Sequence, residues 1–256
     1  MDHAPHEASA LEGRKALVTG ASQRIGRAIA YALARAGVHV ALHYRSDETG
    51  AKETATYISS MDGRTANSRP PILQADLNDP DACTALASAA HAALGGLDVL
   101  VNNAAIFERT PLDVLEAEDF DRHMATNARS VYALTLAAGR RMKAEAGGDV
   151  INLACISAWR PYPEYVPYSA SKAAVVNLTR GFARVLAPEV RVNGVAPGPI
   201  LPAAGEAPGQ GERAVADTLL KRWGTPEDIA DACMFLLRAR YVTGFTLPVD
   251  GGRSVS

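Results

Sequence analysis

Short apolar runs alternate with amphipathic stretches from one end of this chain to the other, and that alternation restricts the fold more than any other feature. A run too short for a helix, rich in Val, Leu and Ala and flanked by helical periodicity, reads as a strand buried on both faces. Strands are expected at Lys15–Thr19, Val38–His43, Ile72–Ala75, Leu97–Val101, Asp149–Ala154, Val190–Val195 and Thr246–Val249. Helices are expected at Ile25–Ala36 (closed by Gly37), Thr49–Met61, Ala82–Leu94, Glu118–Ala146, Pro167–Leu186 and Pro226–Arg238. Buried strands separated by helices pair in parallel, because each crossover helix covers a face of the sheet. The fold class that follows is α/β: a single-domain Rossmann fold with a doubly wound, seven-stranded parallel sheet and helices on both faces.

The 256 residues suffice for one such domain, read as 13–256 behind a polar tail at 1–12. Its formal net charge of −2 implies no basic face, which argues against a nucleic-acid partner. No apolar run reaches the roughly 18 residues that would span a bilayer. Cys83, Cys155 and Cys233 are odd in number and widely spaced, suggesting neither a disulfide framework nor a metal cluster. The opening Met1-Asp-His-Ala-Pro-His-Glu has no apolar core and no basic leader, and His3 and His6 read as solvated. A cytoplasmic location is the expectation. The Gly/Pro-rich piece Ala196–Gly211 is too long for an ordinary connection, so a substrate lid is expected around 196–222, with a plain surface loop as the competing reading.

Thr19-Gly-Ala-Ser-Gln-Arg-Ile-Gly26 joins the first strand to the first helix. Gly20 permits the tight turn, Gly26 lets helix and strand approach, and the helix N-terminus offers amides to a pyrophosphate. The end of the second strand selects the coenzyme. NAD sites place a carboxylate there for the ribose hydroxyls, whereas NADP needs a cation for its extra phosphate. Here the residues are His43-Tyr44-Arg45-Ser46, with Arg45 to grip a phosphate and Ser46 to donate to it. Asp47 and Glu48 follow, either as helix-start residues or as charges that weaken phosphate binding. NADP(H) is the expected cofactor.

Tyr168-Ser-Ala-Ser-Lys172 places a phenol and an ammonium one helical turn apart on a shared face. The cation is expected to favour phenolate and lower the Tyr168 pKa towards neutrality, making it a proton donor and acceptor. Such a pair also occurs by chance in helices, so the surrounding motifs decide.

Those motifs resemble the short-chain dehydrogenase/reductase family over nearly the whole chain. They are Thr19-Gly20…Gly26, Ala75-Asp76-Leu77, Val101-Asn102-Asn103-Ala104, Asn127, Tyr168…Lys172, Arg191-Val-Asn193, Pro197-Gly198 and Val249-Asp250-Gly251-Gly252. The resemblance implies hydride transfer between nicotinamide and a C=O or C=N carbon, with Tyr168 as general acid/base. Lys172 would bind the nicotinamide ribose, Asn127 would hold a water in a proton relay, and Asp76 would contact the adenine. The implied cofactor site comprises Gly20, Ser22, Arg24, Ile25, Gly26, Tyr44, Arg45, Ser46, Asp76, Leu77, Asn103, Ala104, Pro197, Gly198 and Ile200, with Tyr168 and Lys172.

Three departures qualify it. Family members usually carry a Ser thirteen positions before the Tyr; here Cys155 stands there, a poor hydrogen-bond donor. Cys155 is either a thiolate near Lys172 or a small buried filler, and Ser157 would take over as donor if the strand end bulges. Arg24 replaces the middle glycine of the phosphate loop, and Ala105 the glycine after Asn103-Ala104. Together with His43–Ser46 and Phe107 these look like the pteridine reductase branch, in which the Phe sandwiches the pterin. That branch carries Asp at the site of Cys155, and a thiol does not imitate a carboxylate. Alternatives are a 3-oxoacyl-thioester reductase, for which Arg129, Arg140, Arg141 and Lys143 give a modest basic face, a sugar or polyol dehydrogenase, and a non-enzymatic NADP(H)-binding sensor or scaffold. The small apolar residues of 168–186 and 130–138, with the C-terminal 241–255, predict a homotetramer.

Overall fold

A computed structural model describes residues 11–61, 69–201 and 214–256. Most of the expected tail and the middle of the expected lid (202–213) lie outside the described residues. The strands are β1 (Lys15–Val18), β2 (His39–Tyr44), β3 (Ile72–Gln74), β4 (Val99–Asn102), β5 (Gly148–Leu153), β6 (Val190–Pro197) and β7 (Thr246–Val249). Among the described residues they form one parallel seven-stranded sheet in the order β3-β2-β1-β4-β5-β6-β7. The order reverses between β1 and β4, so a crevice opens there at the strand C-termini.

The helices are α1 (Arg24–Arg35), α2 (Glu48–Ser59), α3 (Pro80–Leu94), α4 (Ala117–His123), α5 (Ser130–Ala144), α6 (Val166–Leu186) and α7 (Pro226–Arg238). Their starts follow local chemistry. Asp79 caps α3 ahead of Pro80, and Thr225 and Asp228 form a capping box ahead of Pro226 in α7. Asp47 accepts from Gly50 N at 2.9 Å and caps α2, so its carboxylate is a helix-start group. Gly37 ends α1 at φ +80°, a left-handed conformation that glycine adopts without strain. Helices α1, α2 and α7 bury Ile29, Leu33, Ile58 and Leu236 on one face of the sheet. Helices α3, α5 and α6 bury Leu86, Leu134, Met142 and Phe182 on the other. Each such side chain contributes about 1.5–3 kcal/mol by leaving water. No helix among the described residues is long and apolar enough to cross a membrane.

Two differences from the sequence reading concern the site. The single helix expected over Glu118–Ala146 is broken: a wider π turn, Met124–Arg129, separates α4 from α5. Apolar periodicity does not register one inserted residue per turn, and such turns often mark functional positions. Strand β6 continues to Pro197, two residues beyond the expected end, so the proposed lid begins only after the sheet stops.

The strand N-termini are closed by ions. Asp149 pairs with Arg14 at 2.7 Å and Arg191 at 2.6 Å. Arg191 also donates to the carbonyls of Leu236, Leu237, Ala239 and Val242, satisfying the end of α7. Arg191 therefore holds the base of the molecule, at the end of the sheet away from the crevice.

Candidate active site

The crevice is a cavity of about 1000 Å³. Its floor at one end is the β1–α1 loop. Gly20 has φ +63°, and Asn103 Nδ2 donates to the carbonyls of Thr19 (2.8 Å) and Gly20 (3.1 Å). Thr19 Oγ1 accepts from the amides of Asn103 and Ala104 at 2.9 and 3.0 Å, tying β1 to β4. A Cβ on Gly26 would lie 2.1 Å from Gly20 O and 2.5 Å from Asn103 Nδ2, so only glycine fits. Helix α1 opens into the crevice with neither a side-chain cap nor an acidic residue in its first turn, leaving its amides to an anion. This cradle fits a dinucleotide phosphate.

His43 was quoted with its neighbours but given no role by the sequence. It is buried, accepts from Gly20 N at 3.2 Å through Nδ1, and donates from Nε2 to Ala75 O at 3.1 Å. Those two bonds fix a neutral tautomer that joins the phosphate loop to the end of β3. Burial lowers its pKa below the ordinary histidine range, consistent with a neutral ring. Beyond it Tyr44, Arg45, Ser46, Asp76 and Leu77 line the same cavity, as do Gly20, Ser22, Arg24, Ile25, Gly26, Asn103, Ala104, Pro197, Gly198 and Ile200.

At the other end stand Tyr168 and Lys172, both buried on one face of α6, with Lys172 Nζ 5.7 Å from the Tyr168 ring centroid. Their helix is fixed against the sheet by buried amides: Asn102 Nδ2 donates to Asn152 Oδ1 (2.8 Å) and Asn152 Nδ2 to Thr179 Oγ1 (3.0 Å). Lys172 Nζ donates to Leu153 O at 2.8 Å, and burial brings its pKa down to about 8. The expectation that Lys172 acidifies Tyr168 is corrected. Burial, followed by the neighbouring Cys155, pushes the phenol well above its usual range. Desolvation penalises phenolate, and the Lys172 ammonium is bonded to Leu153 O. At neutral pH Tyr168 is a proton-bearing group.

The structure gives the surroundings of three further expected residues. Asn127 sits in the π turn, fully buried, with Oδ1 accepting from Ile106 N (2.8 Å) and Nδ2 donating to Ile106 O and Ser171 Oγ (both 3.0 Å). Its amide braces the β4 loop against α6 and does not face the cavity. Ser157 does not replace Cys155 as donor: the chain after β5 enters a 3₁₀ turn, Ile156–Ala158, which buries Ser157 behind the cavity wall. Cys155 lines the cavity, and its sulfur accepts from Ser157 N at 3.5 Å.

Phe107 is half exposed in the cavity mouth, stacked on Tyr165 (centroids 4.4 Å, 5°) and edge-on to Tyr168 (4.7 Å, 71°). Tyr162, Tyr165, Trp223 and Arg253 complete this end, and sequence reasoning missed all four. The two tyrosines precede Tyr168 by six and three residues in the loop Arg160-Pro-Tyr-Pro-Glu-Tyr165. Aromatics in a Pro-rich loop beside a reactive Tyr were the available signal. Arg253 is far away in sequence and left none.

A parallel sheet reversing at β1/β4, a glycine cradle and a buried Tyr–Lys pair in one cavity define a dinucleotide-binding oxidoreductase fold. The comparisons agree. A profile described as enoyl-(acyl carrier protein) reductase, a short-chain dehydrogenase group, matches residues 20–254. The 3beta-hydroxysteroid dehydrogenase 1 of Eggerthella lenta is 36% identical over 253 residues, 96% of this chain and 95% of that protein. The gluconate 5-dehydrogenase of Gluconobacter oxydans is 34% identical over 264 residues, covering 96% of each. The crystal structure of a short chain dehydrogenase from Burkholderia cenocepacia in complex with NADP superposes with a TM-score of 0.88 at 35% identity, covering 96% of this chain and 100% of that one. The chain belongs to the short-chain dehydrogenase/reductase family and is an oxidoreductase of that type.

Proposed function

We propose that the protein is an NADP(H)-dependent reductase of C=O or C=N bonds. The observation that carries this is the union, in one cavity, of the Tyr168–Lys172 pair with Arg45 and Ser46 at the end of β2. Bound NADPH supplies the hydride. The chain supplies placement and protons. The β1–α1 loop and the amides of α1 hold the pyrophosphate, and Arg45 and Ser46 take the ribose phosphate, with Asp47 committed to capping α2. Lys172 holds the ribose end beside Tyr168. Tyr168 gives its hydroxyl proton to the substrate heteroatom as negative charge builds there.

The finer reading is a flat, ring-bearing substrate such as a pterin, supported by the Phe107–Tyr165 stack in the cavity mouth. A sugar or polyol substrate is favoured by the gluconate dehydrogenase likeness. The assay is NADPH consumption, followed by its near-ultraviolet absorbance, with dihydropterins, quinones, diketones and acetoacetyl thioesters. Oxidation of gluconate-type and steroid alcohols with NADP is the reverse arm. Turnover in either direction supports the enzyme. Tight NADPH binding with turnover of none moves the assignment to a sensor or scaffold.

The cytoplasmic assignment is supported by three free, buried cysteines, which suit a reducing compartment. Two apolar faces support a homotetramer: Tyr132 and Val185 stand exposed on α5 and α6, and Tyr241, Phe245 and Val255 at the C-terminal end. Light scattering reporting a monomer would overturn that assembly.

A further inference from the structure

Cys155, a poor hydrogen-bond donor, lines the substrate end of the cavity, and a second phenol, Tyr162, lines it too. We infer that Tyr162, braced by Arg253, is a catalytic residue: it donates a hydrogen bond to the same substrate oxygen that Tyr168 protonates. This inference rests on the reductase reading above.

Three observations converge on it. Tyr162, Tyr168 and Cys155 line the same cavity and pack in one cluster, so the two phenols share one stretch of the cavity wall with the sulfur. Tyr162 is held there by the backbone: its amide donates to Ser169 Oγ at 3.3 Å, and its carbonyl accepts from Tyr165 N at 3.0 Å. Arg253 lies 5.0 Å above the Tyr162 ring, and its Nη1 donates to the Tyr162 hydroxyl at 3.5 Å.

Arg253 is itself positioned for this task. Asp250 caps the turn that carries it, accepting from Gly252 N (2.9 Å) and Ser254 N (2.7 Å), and Arg160 Nη1 donates to Arg253 O at 2.5 Å. Its guanidinium meets Asp217 at 3.3 Å, a long contact to a half-exposed carboxylate, and Nε is buried with no partner among the described residues. A cation accepted by a phenol oxygen polarises that hydroxyl and makes it a better donor. Burial holds Tyr162 protonated across the working range, so it donates without giving up its proton. The division of labour follows. The hydride goes to the electrophilic carbon, the Tyr168 proton goes to the heteroatom, and Tyr162 stabilises the developing charge with its proton retained.

Tyr162→Phe tests this, because it keeps the ring under Arg253 and removes only the hydroxyl. The readouts are kcat on the best carbonyl of the panel, NADPH Kd and melting temperature. The expected result is a fall in kcat of about 100-fold with NADPH affinity and melting temperature unchanged. Adding Cys155→Ser to Tyr162→Phe restores a hydroxyl donor on the same stretch of the wall and should recover at least about tenfold of that loss. A structural role for Tyr162 would not be rescued in this way. Should Tyr162→Phe fail to fold, Arg253→Gln leaves the phenol but removes its polarising cation, and a fall in kcat of about three- to tenfold is expected. Unchanged kcat in Tyr162→Phe, or in Arg253→Gln where that variant stands in, overturns the inference, as does a loss that Cys155→Ser does not relieve. If Tyr168→Phe abolishes turnover while Tyr162→Phe does not affect it, the reductase reading stands and this inference falls. If Tyr168→Phe keeps full turnover, both fall.

Discussion

The two ends of the crevice are built from different materials. The coenzyme end is backbone held by buried polar side chains. The side chains of Asn103, Thr19 and His43 bond the main chain of the loop and of β4's end, and a methyl group at Gly26 has no room. The substrate end is made of side chains on loops. Phe107, Tyr162, Tyr165 and Arg253 come from three separate segments, and the first two segments are latched by the Arg109–Glu164 ion pair and by Thr110 N donating to Glu164 O at 2.7 Å. An end fixed by main-chain geometry tolerates little variation, whereas an end lined by side chains is re-cut by substitution. This explains how one chain is comparably similar to a steroid and to a gluconate dehydrogenase.

The sharpest division of the two ends comes from Tyr168→Phe. Turnover should fall by about 10³-fold or more, because the proton transfer is assigned to the Tyr168 hydroxyl, while NADPH affinity changes by less than about twofold. Comparable losses in both would mean that the ends are not separable. Gly26→Ala does the reverse. Its Cβ must displace Gly20 O or Asn103, an overpacking cost of about 1–3 kcal/mol, so NADPH Kd should rise by roughly 10- to 100-fold together with a lower melting temperature. Arg45→Glu sharpens the comparison within the coenzyme end. A charge-assisted phosphate contact is worth about 1.5–3 kcal/mol, so NADPH should weaken by roughly 10- to 100-fold and NADH by far less. Equal losses measured by fluorescence titration would remove the phosphate role from Arg45.

The smallest effect lies where the ends meet. Burial has lowered Lys172 to about 8, so its ammonium is present below that pH and lost above it, while Tyr168 stays protonated throughout. The reductive kcat/KM should therefore be level below pH 8 and fall above it. Lys172→Arg should carry that descending limb out of range, since a guanidinium does not lose its proton there. A descending limb unmoved by this change would assign it to another group.

Much of the coenzyme end was legible in the residues themselves. The β1–α1 loop, Arg45 and the Tyr168–Lys172 pair are contiguous or one helical turn apart, and local spacing reports such relations directly. Asp47 as a helix-start residue was equally local. The π turn at 124–129 was not, because a single wider turn leaves the apolar pattern on either side nearly intact. Asn127, expected from the family resemblance, and Ser157, expected from its place two residues after Cys155, have buried side chains, which local spacing does not report.

What the chain order alone determined was the sheet, its sense of winding and the chemistry offered at the strand ends, since alternating apolar runs with short connections leave few other ways to bury them. What only the tertiary structure decided was ionisation and convergence. Desolvation, a property of the assembled core, pushes the Tyr168 phenol above its usual range, the reverse of what its one-turn spacing from Lys172 predicts. The meeting of Tyr162 with Arg253 joins residues 91 positions apart, a proximity that exists only once β6, β7 and α6 have packed together.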